Sequence, residues 1–447
     1  MIDPELATQA IRLALTRGAS DAECTISEGE EFTASVRMRS LETLKDAGSR
    51  GAGLRVLIGK QVGSSYTSDL SAEGMRKLVE SALEIAVIST EDPHAGLPDE
   101  SELGSLSTDL RLYSDDINSI DTPYRIAQAL EAEEAALSAD SRITNSEGAS
   151  FESYTGERLF ANSRGFVGSY RQSSCSLSAT PVAREGDSME RDYWYSTARS
   201  HATLESPSSI GRKAAERTVR RLGARKVSTQ KVPVVFDAMT ARSLLGEIFE
   251  AVEGTAVYQK ASFLAGKLGE RVAAESVTVV DDGTIPGLFG TSPFDDEGVP
   301  TRRTVVIDRG VLRSYLLNTY TARKLGLRTT GSAARGITGN ASVGHGNLYL
   351  ENGGKSPEEI TRGIGKGLYV TELIGSAVNI VTGDYSRGAA GQWIENGEFA
   401  YPVSEITIAS NLLQMLMDIE CIGSDLEFRG SVASPTVMIR EMTVSGQ

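Results

Sequence analysis

From Ala22 to about Ser68 the chain alternates β-branched or apolar residues with polar ones, at Glu23 to Ser27, Thr33 to Arg39 and Leu54 to Ile58. Gly48, Gly51, Gly53, Gly59 and Gly63 punctuate the pattern. A side-chain period of two belongs to strands and cannot be carried by a helix, so this stretch predicts sheet. Helical spacing flanks it, at 5–17 and at 72–89, where Met75, Leu78, Val79, Leu83 and Ile85 recur at turns of a helix. A proline-bearing polar loop, 92–107, follows. The order then repeats. A helix at 123–138 starts after Asp121-Thr122-Pro123, short strands run from Ile143 to about Tyr195, and a helix at 207–223 closes the segment. Helix, strands, helix thus occurs twice before residue 225. The layout hints at an internal duplication, without a residue-level repeat.

Beyond the polar, basic stretch 224–231 the pattern changes. Val232 to Phe236 reads as a buried strand and 237–252 as a helix with Leu244, Leu245, Ile248, Phe249 and Val252 on its apolar side. From Val277 strands dominate: Val277–Val280, Thr304–Ile307, Leu312–Leu317, Leu348–Leu350, Tyr369–Ile374, Ser376–Thr382, Gln392–Glu395, Phe399–Val403 and Val437–Ile439. Helices are expected only at 321–326, 356–366 and 408–417. A chain of 447 residues exceeds what one hydrophobic core serves. The expectation is an α+β protein of two domains. Residues 1–225 form a helix and antiparallel-sheet domain, and 232–447 a β-rich domain with few helices.

The formal net charge is −15. An acidic chain repels phosphate backbones and anionic lipid, which argues against nucleic acid and membranes as partners. Arg212 to Lys226 runs the other way, with seven basic residues against Glu216. Its spacing is that of the solvated face of an amphipathic helix; a docking surface for an acidic partner is the alternative. Three dispersed cysteines, Cys24, Cys175 and Cys421, suit a reducing compartment. The first residues carry no signal-peptide pattern and no apolar run is long enough to span a bilayer, so a cytoplasmic location is expected. The sequon Asn340-Ala-Ser is then a chance match.

Several motifs fail on inspection. Gly353-Gly-Lys-Ser356 lacks the glycine a phosphate-binding loop needs five residues before Gly354, where Tyr349 stands. Gly363-Ile-Gly-Lys-Gly367 has the wrong spacing for dinucleotide binding. No Gly-x-Ser-x-Gly elbow occurs. Histidine is the sharpest limit. His94, His201 and His345 are the only three, none within ligand spacing of another, and each reads as a surface residue.

Three segments of the second half are distinctive. They are Ser262-Phe-Leu-Ala-Gly-Lys-Leu-Gly269 with Val279-Val-Asp-Asp-Gly283; Thr291-Ser-Pro-Phe-Asp-Asp-Glu-Gly298 with Tyr320-Thr-Ala-Arg-Lys-Leu-Gly326; and Thr382-Gly-Asp-Tyr-Ser-Arg-Gly-Ala-Ala-Gly391, continuing through Ile394-Glu-Asn-Gly397 and Tyr401-Pro-Val-Ser-Glu-Ile-Thr-Ile-Ala409. With Arg39-Ser-Leu-Glu42 in the first half, they resemble the TldD/PmbA family, once called modulators of DNA gyrase, and its PmbA (TldE) branch most. The resemblance implies a TldD–TldE heterodimer that cleaves peptides. Its zinc sits in the TldD half on a His-Glu-x-x-x-His helix completed by a late cysteine. The pair is linked to maturation of a peptide antibiotic and degradation of an antitoxin.

Carried over position by position, that motif falls on Gly246-Glu-Ile-Phe-Glu-Ala251. Glu247 is kept; Gly246 and Ala251 stand at both histidine positions, and Gly430-Ser-Val-Ala-Ser-Pro435 has no cysteine. Glycine and alanine cannot coordinate a metal, and a glutamate beside no metal has no activated water to deprotonate. Glu247 and Glu250 share a helix face. They read as a solvated acidic face, with weak binding of a hard cation such as magnesium as the alternative. No catalytic residue and no cofactor are therefore expected in this chain, zinc being expected in a TldD-like partner. Asp384, Tyr385, Arg387, Trp393 and Glu395 are candidates for a shared dimer or substrate surface, though turn and strand packing explains them equally well. The leading expectation is a noncatalytic subunit of a cytoplasmic peptide metalloprotease. A homodimeric, non-proteolytic binding or regulatory protein is the alternative.

Overall fold

The computed structural model describes residues 2–446. The first half runs α1 (Pro4–Thr16), β1 (Asp21–Arg37), β2 (Ser40–Ile58), β3 (Gln61–Thr67), α2 (Ala72–Ile88), α3 (Asp116–Ser119), α4 (Thr122–Leu137), β4 (Ile143–Asn162), β5 (Val167–Glu185), β6 (Ser188–Arg191), β7 (Trp194–Ala198) and α5 (Pro207–Val219). Its strands form one antiparallel sheet in the order β3-β2-β1-β4-β5-β6, with β7 also on β5. The segment expected to hold short strands instead holds two of 20 and 19 residues. One face carries all the helices. Cys24 and Ile26 of β1 pack with α1 and α2 at one end. Phe32, Ala34 and Val36, on the same face of the same strand, pack with α4 and α5 at the other. The doubled helix–strand–helix order is thus a doubled covering of a single long sheet.

The β1–β2 hairpin turns on Met38 and Arg39, both with positive φ (47° and 65°). Two-residue hairpins require that geometry, and neither residue favours it. The buried Glu133 carboxylate of α4 holds it by accepting both backbone N–H groups, at 2.9 and 2.7 Å. The segment read from sequence as strand through Arg39 therefore ends in a clamped turn.

The second half runs β8 (Gln230–Phe236), α6 (Ala238–Val252), α7 (Gly254–Tyr258), β9 (Val279–Asp282), β10 (Arg303–Asp308), β11 (Val311–Leu312), α8 (Thr319–Leu325), β12 (Ala333–Ala334), β13 (Ser342–Val343), β14 (Asn347–Leu350), α9 (Pro357–Arg362), β15 (Lys366–Val378), β16 (Asp384–Glu395), β17 (Glu398–Asn411), α10 (Leu412–Met417), β18 (Ile419–Ile422), β19 (Val432–Ala433) and β20 (Val437–Ser445). One sheet is β17-β16-β15-β8-β20-β18, and it curls so that β17 also pairs with β20. A second is β11-β10-β9-β14-β19. Helix α6 packs against both, touching β8 and β15 of one and β14 and β19 of the other. Asp237 caps it, accepting the Thr240 backbone N–H at 2.7 Å. Leu244, Leu245, Ile248 and Val252 enter the large common core, each stabilising by about 1.5–3 kcal/mol.

Two expectations shift here. The strand expected over Leu312–Leu317 ends at Leu312; Tyr315–Leu317 are buried, with only Leu316 pairing, in an isolated parallel bridge to Glu253. The helix expected at 408–417 begins only at Leu412, because Ile408 and Ala409 still pair in β17.

The basic segment is a solvated face only in part: Arg212, Lys213 and Glu216 are exposed, but other arginines turn inward. Arg217 and Arg221 have side chains 12% and 13% exposed; Arg217 meets Asp192 at 3.2 Å, while Arg221 binds Glu190 and Glu372. The stretch 224–231 docks on the second half: Arg225 lies over the Tyr401 ring at 3.4 Å and its N–H donates to Pro402 O.

Candidate functional site

Helix α6 presents Glu247 to β16. The residue is 8% exposed although it belongs to neither an apolar position nor a cap. Its Oε1 lies 3.9 Å from Nη1 of Arg387, whose Nε donates to Gly375 O at 2.9 Å. Burial, and after it the neighbouring Glu250, push the Glu247 carboxyl above its usual range, while Arg387 opposes them. Tyr385, two residues earlier on the same face of β16, is 2% exposed. Burial also raises its hydroxyl, with Arg387 and Glu247 as the charges acting on it. The acidic-face reading of Glu247 and Glu250 is therefore corrected: only Glu250 meets solvent. Glu247 turns inward to a guanidinium.

Five candidate residues were drawn from β16, and the structure divides them. Tyr385 and Arg387 converge with Glu247. Asp384 and Glu395 are exposed at opposite ends of the strand, separated by about 35 Å at some 3.3 Å per residue. Asp384 accepts the Thr382 hydroxyl at 2.7 Å within the turn. Trp393 is 1% exposed and stacks on Tyr401, so it is core and lines no surface of the chain. Gly383 lies at the turn before β16, with φ 81°. Gly388 and Gly391 lie within the strand. A Cβ at Gly391 would stand 1.9 Å from Tyr369 O, so only glycine lets β15 approach there.

The donors around Glu247 do not fit a zinc ion. Gly246 and Ala251 offer no coordinating side chain, and a Cβ at Gly246 would meet nothing within 4 Å. Among the described residues no three His, Cys, Asp or Glu side chains come together as a metal-holding group. Burial drives the thiols of Cys24 and Cys175 up to about 12, which keeps them protonated and poor ligands. His345, expected at the surface, is half-buried and packs edge-on to Phe249 of α6, with ring centroids 4.9 Å apart. Sequence reasoning missed that contact because no spacing links residues 249 and 345.

A separate cavity of about 550 Å³ opens where β7 meets the loops at 287–289 and 427–429. Arg111, Arg199 and Arg429 line it, with Tyr113, Phe289 and Phe428. No local sequence pattern joins these residues, which come from four separate stretches of chain.

Family comparison places the whole chain. Residues 22–86, 115–222 and 229–446 match, in turn, domain 1, the central domain and the C-terminal domain of the PmbA/TldA metallopeptidases. The chain belongs to the TldD/PmbA family of metallopeptidase-type proteins. Within it, the chain is 39% identical to the metalloprotease PmbA of Escherichia coli O157:H7, covering 97% of this chain and 94% of that one. It is 37% identical to the PmbA homolog of Haemophilus influenzae over 98% and 94% of the two chains. The crystal structure of a candidate modulator of DNA gyrase from Bacteroides thetaiotaomicron superposes with a TM-score of 0.92 at 30% identity, covering 99% and 98%. TldE from Thermococcus kodakarensis shares the fold, with a TM-score of 0.88 at 20% identity and 98% and 99% coverage. Among the described residues, no helix is long and apolar enough to cross a membrane.

Proposed function

We propose that this chain is the PmbA/TldE-type subunit of a two-chain, cytoplasmic peptide metalloprotease, holding no catalytic zinc itself and acting as structural and substrate-binding partner of a TldD-like chain. The observation that carries the reading is the pairing of Glu247 on α6 with Arg387 on β16, where Gly246 and Ala251 stand at the two histidine positions of the motif. A carboxylate serves as general base in zinc peptidases because the metal acidifies its water. Here the nearest cation is a guanidinium, which cannot bind and polarise water as a Lewis acid does. Glu247 in this setting holds α6 to β16. Peptide hydrolysis then depends on a partner that brings its own metal.

The test is metal analysis and peptide cleavage by the purified chain, alone and mixed with the TldD-type protein of the same organism. The expected result is no stoichiometric zinc in the isolated chain, no cleavage by it, and chelator-sensitive cleavage by the mixture. Stoichiometric zinc in the isolated chain, or cleavage by it alone, overturns the proposal. A chain that only self-associates and ignores the TldD-type protein points instead to the homodimeric binding protein.

A further inference from the structure

The cavity beside β7 has an imbalance of charge that its own residues do not settle. Arg429 is fully engaged, pairing with Glu205 at 2.9 Å and Glu427 at 2.7 Å, and Lys213 holds Glu205 as well. Both acidic residues of the wall are thereby used. Arg199 is different. It donates to Ser173 O and Leu288 O, both at 3.0 Å, and lies over the Phe289 ring at 4.7 Å. Its Nε is buried without a hydrogen-bond partner. Among the described residues neither Arg199 nor Arg111 makes an ion pair, and the Arg111 side chain makes no hydrogen bond. Buried cations are normally paired, because leaving water without a counter-charge costs several kcal/mol. Burial accordingly pulls the Arg199 guanidinium below its usual value.

The segment carrying Arg111 is fixed, not loose. Its backbone takes φ 50°, a conformation that disfavours any side chain. Asp109 accepts the Arg111 N–H at 2.9 Å, and Leu110 O accepts the Gly287 N–H at 2.8 Å. First-half and second-half walls are thus locked together around the cavity. Tyr113, Phe289 and Phe428 add aromatic surface to a lining that is otherwise mostly small and polar. A concave site where two parts of a fold meet, with a few converging polar groups, is a usual place for a small ligand.

We infer that this cavity binds the C-terminal carboxylate of a peptide, with Arg111 as its ion-pair partner, Arg199 as the positive wall behind it, and the aromatic residues around the terminal side chain. A planar monoanion matches a guanidinium in two-point contact. A phosphate dianion fits less well, because Glu205 and Glu427 stand in the same wall and the chain carries −15 overall. The choice of a peptide rests on the peptidase reading above; the charge imbalance does not. Binding to the chain alone is therefore measured without any partner, so a failure here is separate from a failure of partner-dependent cleavage.

The test is calorimetric titration of the full chain with a short peptide ending in phenylalanine, as the free acid and as the C-terminal amide. The free acid is expected to bind about tenfold tighter than the amide or more, the size of a hydrogen-bonded charge contact. Arg111→Gln, at an exposed position, is expected to remove that difference while keeping the thermal midpoint. Equal binding of acid and amide overturns the inference, as does no binding of either, or unchanged discrimination in Arg111→Gln. Inorganic phosphate that displaces the free acid at equal or lower concentration also overturns the assignment to a carboxylate.

Discussion

At position 247 a carboxylate is mostly shielded from water, with a guanidinium 3.9 Å away and no closer cation. A pair this long and this buried adds little on its own, but removing one member strands the other. Arg387→Met is expected to cost about 1–3 kcal/mol near neutral pH, below the range for tightly bonded buried pairs because contact is loose and both groups keep some water. The loss depends on pH with a definite sign. The Glu247 carboxyl already sits above its usual 4.5 in the folded chain, and without Arg387 it rises further. A raised carboxyl favours the fold fully below pH 4.5 and loses that contribution as pH climbs through the folded value. Thermal midpoints of Arg387→Met should therefore approach wild type below about pH 4.5 and fall away above it. Glu247→Gln in the same background should abolish the slope. A loss that is equal at every pH, or that persists with Glu247→Gln, would show that Arg387 acts by packing and not by charge.

On the scale of single elements, β15 and β16 set how Arg387 and Tyr385 reach α6, and their closeness depends on Gly391. Tyr369 O lies only 1.9 Å from where a methyl group on residue 391 would stand, so Gly391→Ala must push the strands apart. The expected cost is about 2–4 kcal/mol, in the upper range of single substitutions. Gly388→Ala meets Ile374 O at 3.1 Å and should cost clearly less. Chemical denaturation of the two variants ranks them; equal stability would mean that β15 shifts freely. Much of this layer was legible in the sequence. Period-two runs located β1, the buried-type run Val232–Phe236 located the end of β8, and apolar spacing located α6 within a residue. The third family segment led to the strand that faces α6. What the sequence left hidden has physical causes. The short strands expected after Ile143 are one long β4, with Gly148 and Gly156 inside it where β1 backbone and Tyr154 fill the space that a Cβ would need. Arg217 of α5 and Arg221 just beyond it read as solvent-facing because helical spacing ranks residues by polarity, and it cannot see the carboxylates of Asp192, Glu190 and Glu372 brought to them by other parts of the chain. The same blindness applies to the Arg111–Arg199 cavity.

The whole molecule depends on how the long first-half sheet meets the second half, and there the bond is a buried ion cluster. Glu23 of β1, with a side chain 1% exposed, binds Arg335 from the second half and Arg55 of β2, the latter at 2.9 Å. Arg158 reaches Asp296 at 2.8 Å, and Arg55 donates to Asn340 at 2.8 Å, so the sequon asparagine belongs to this junction. The loop comes so near that a Cβ at Gly53 would overlap Ile337 O. Burial alone would raise the Glu23 carboxyl; Arg335 and Arg55 outweigh it and hold the group below 4.5. Its contribution is present above pH 4.5 and is lost as pH falls through the lowered folded value. Arg335→Met removes the stronger counter-charge and leaves Glu23 buried, at an expected cost of about 3–5 kcal/mol at pH 7. Because the pair spans the two halves, the loss should appear as separation of their unfolding in calorimetry and as faster proteolysis at the junction. Adding Glu23→Leu should recover much of it, since two apolar groups need no counter-charge. Wild-type stability in Arg335→Met, or equal loss in the single and double variants, would show that the halves are held by packing around Gly53 and not by this cluster.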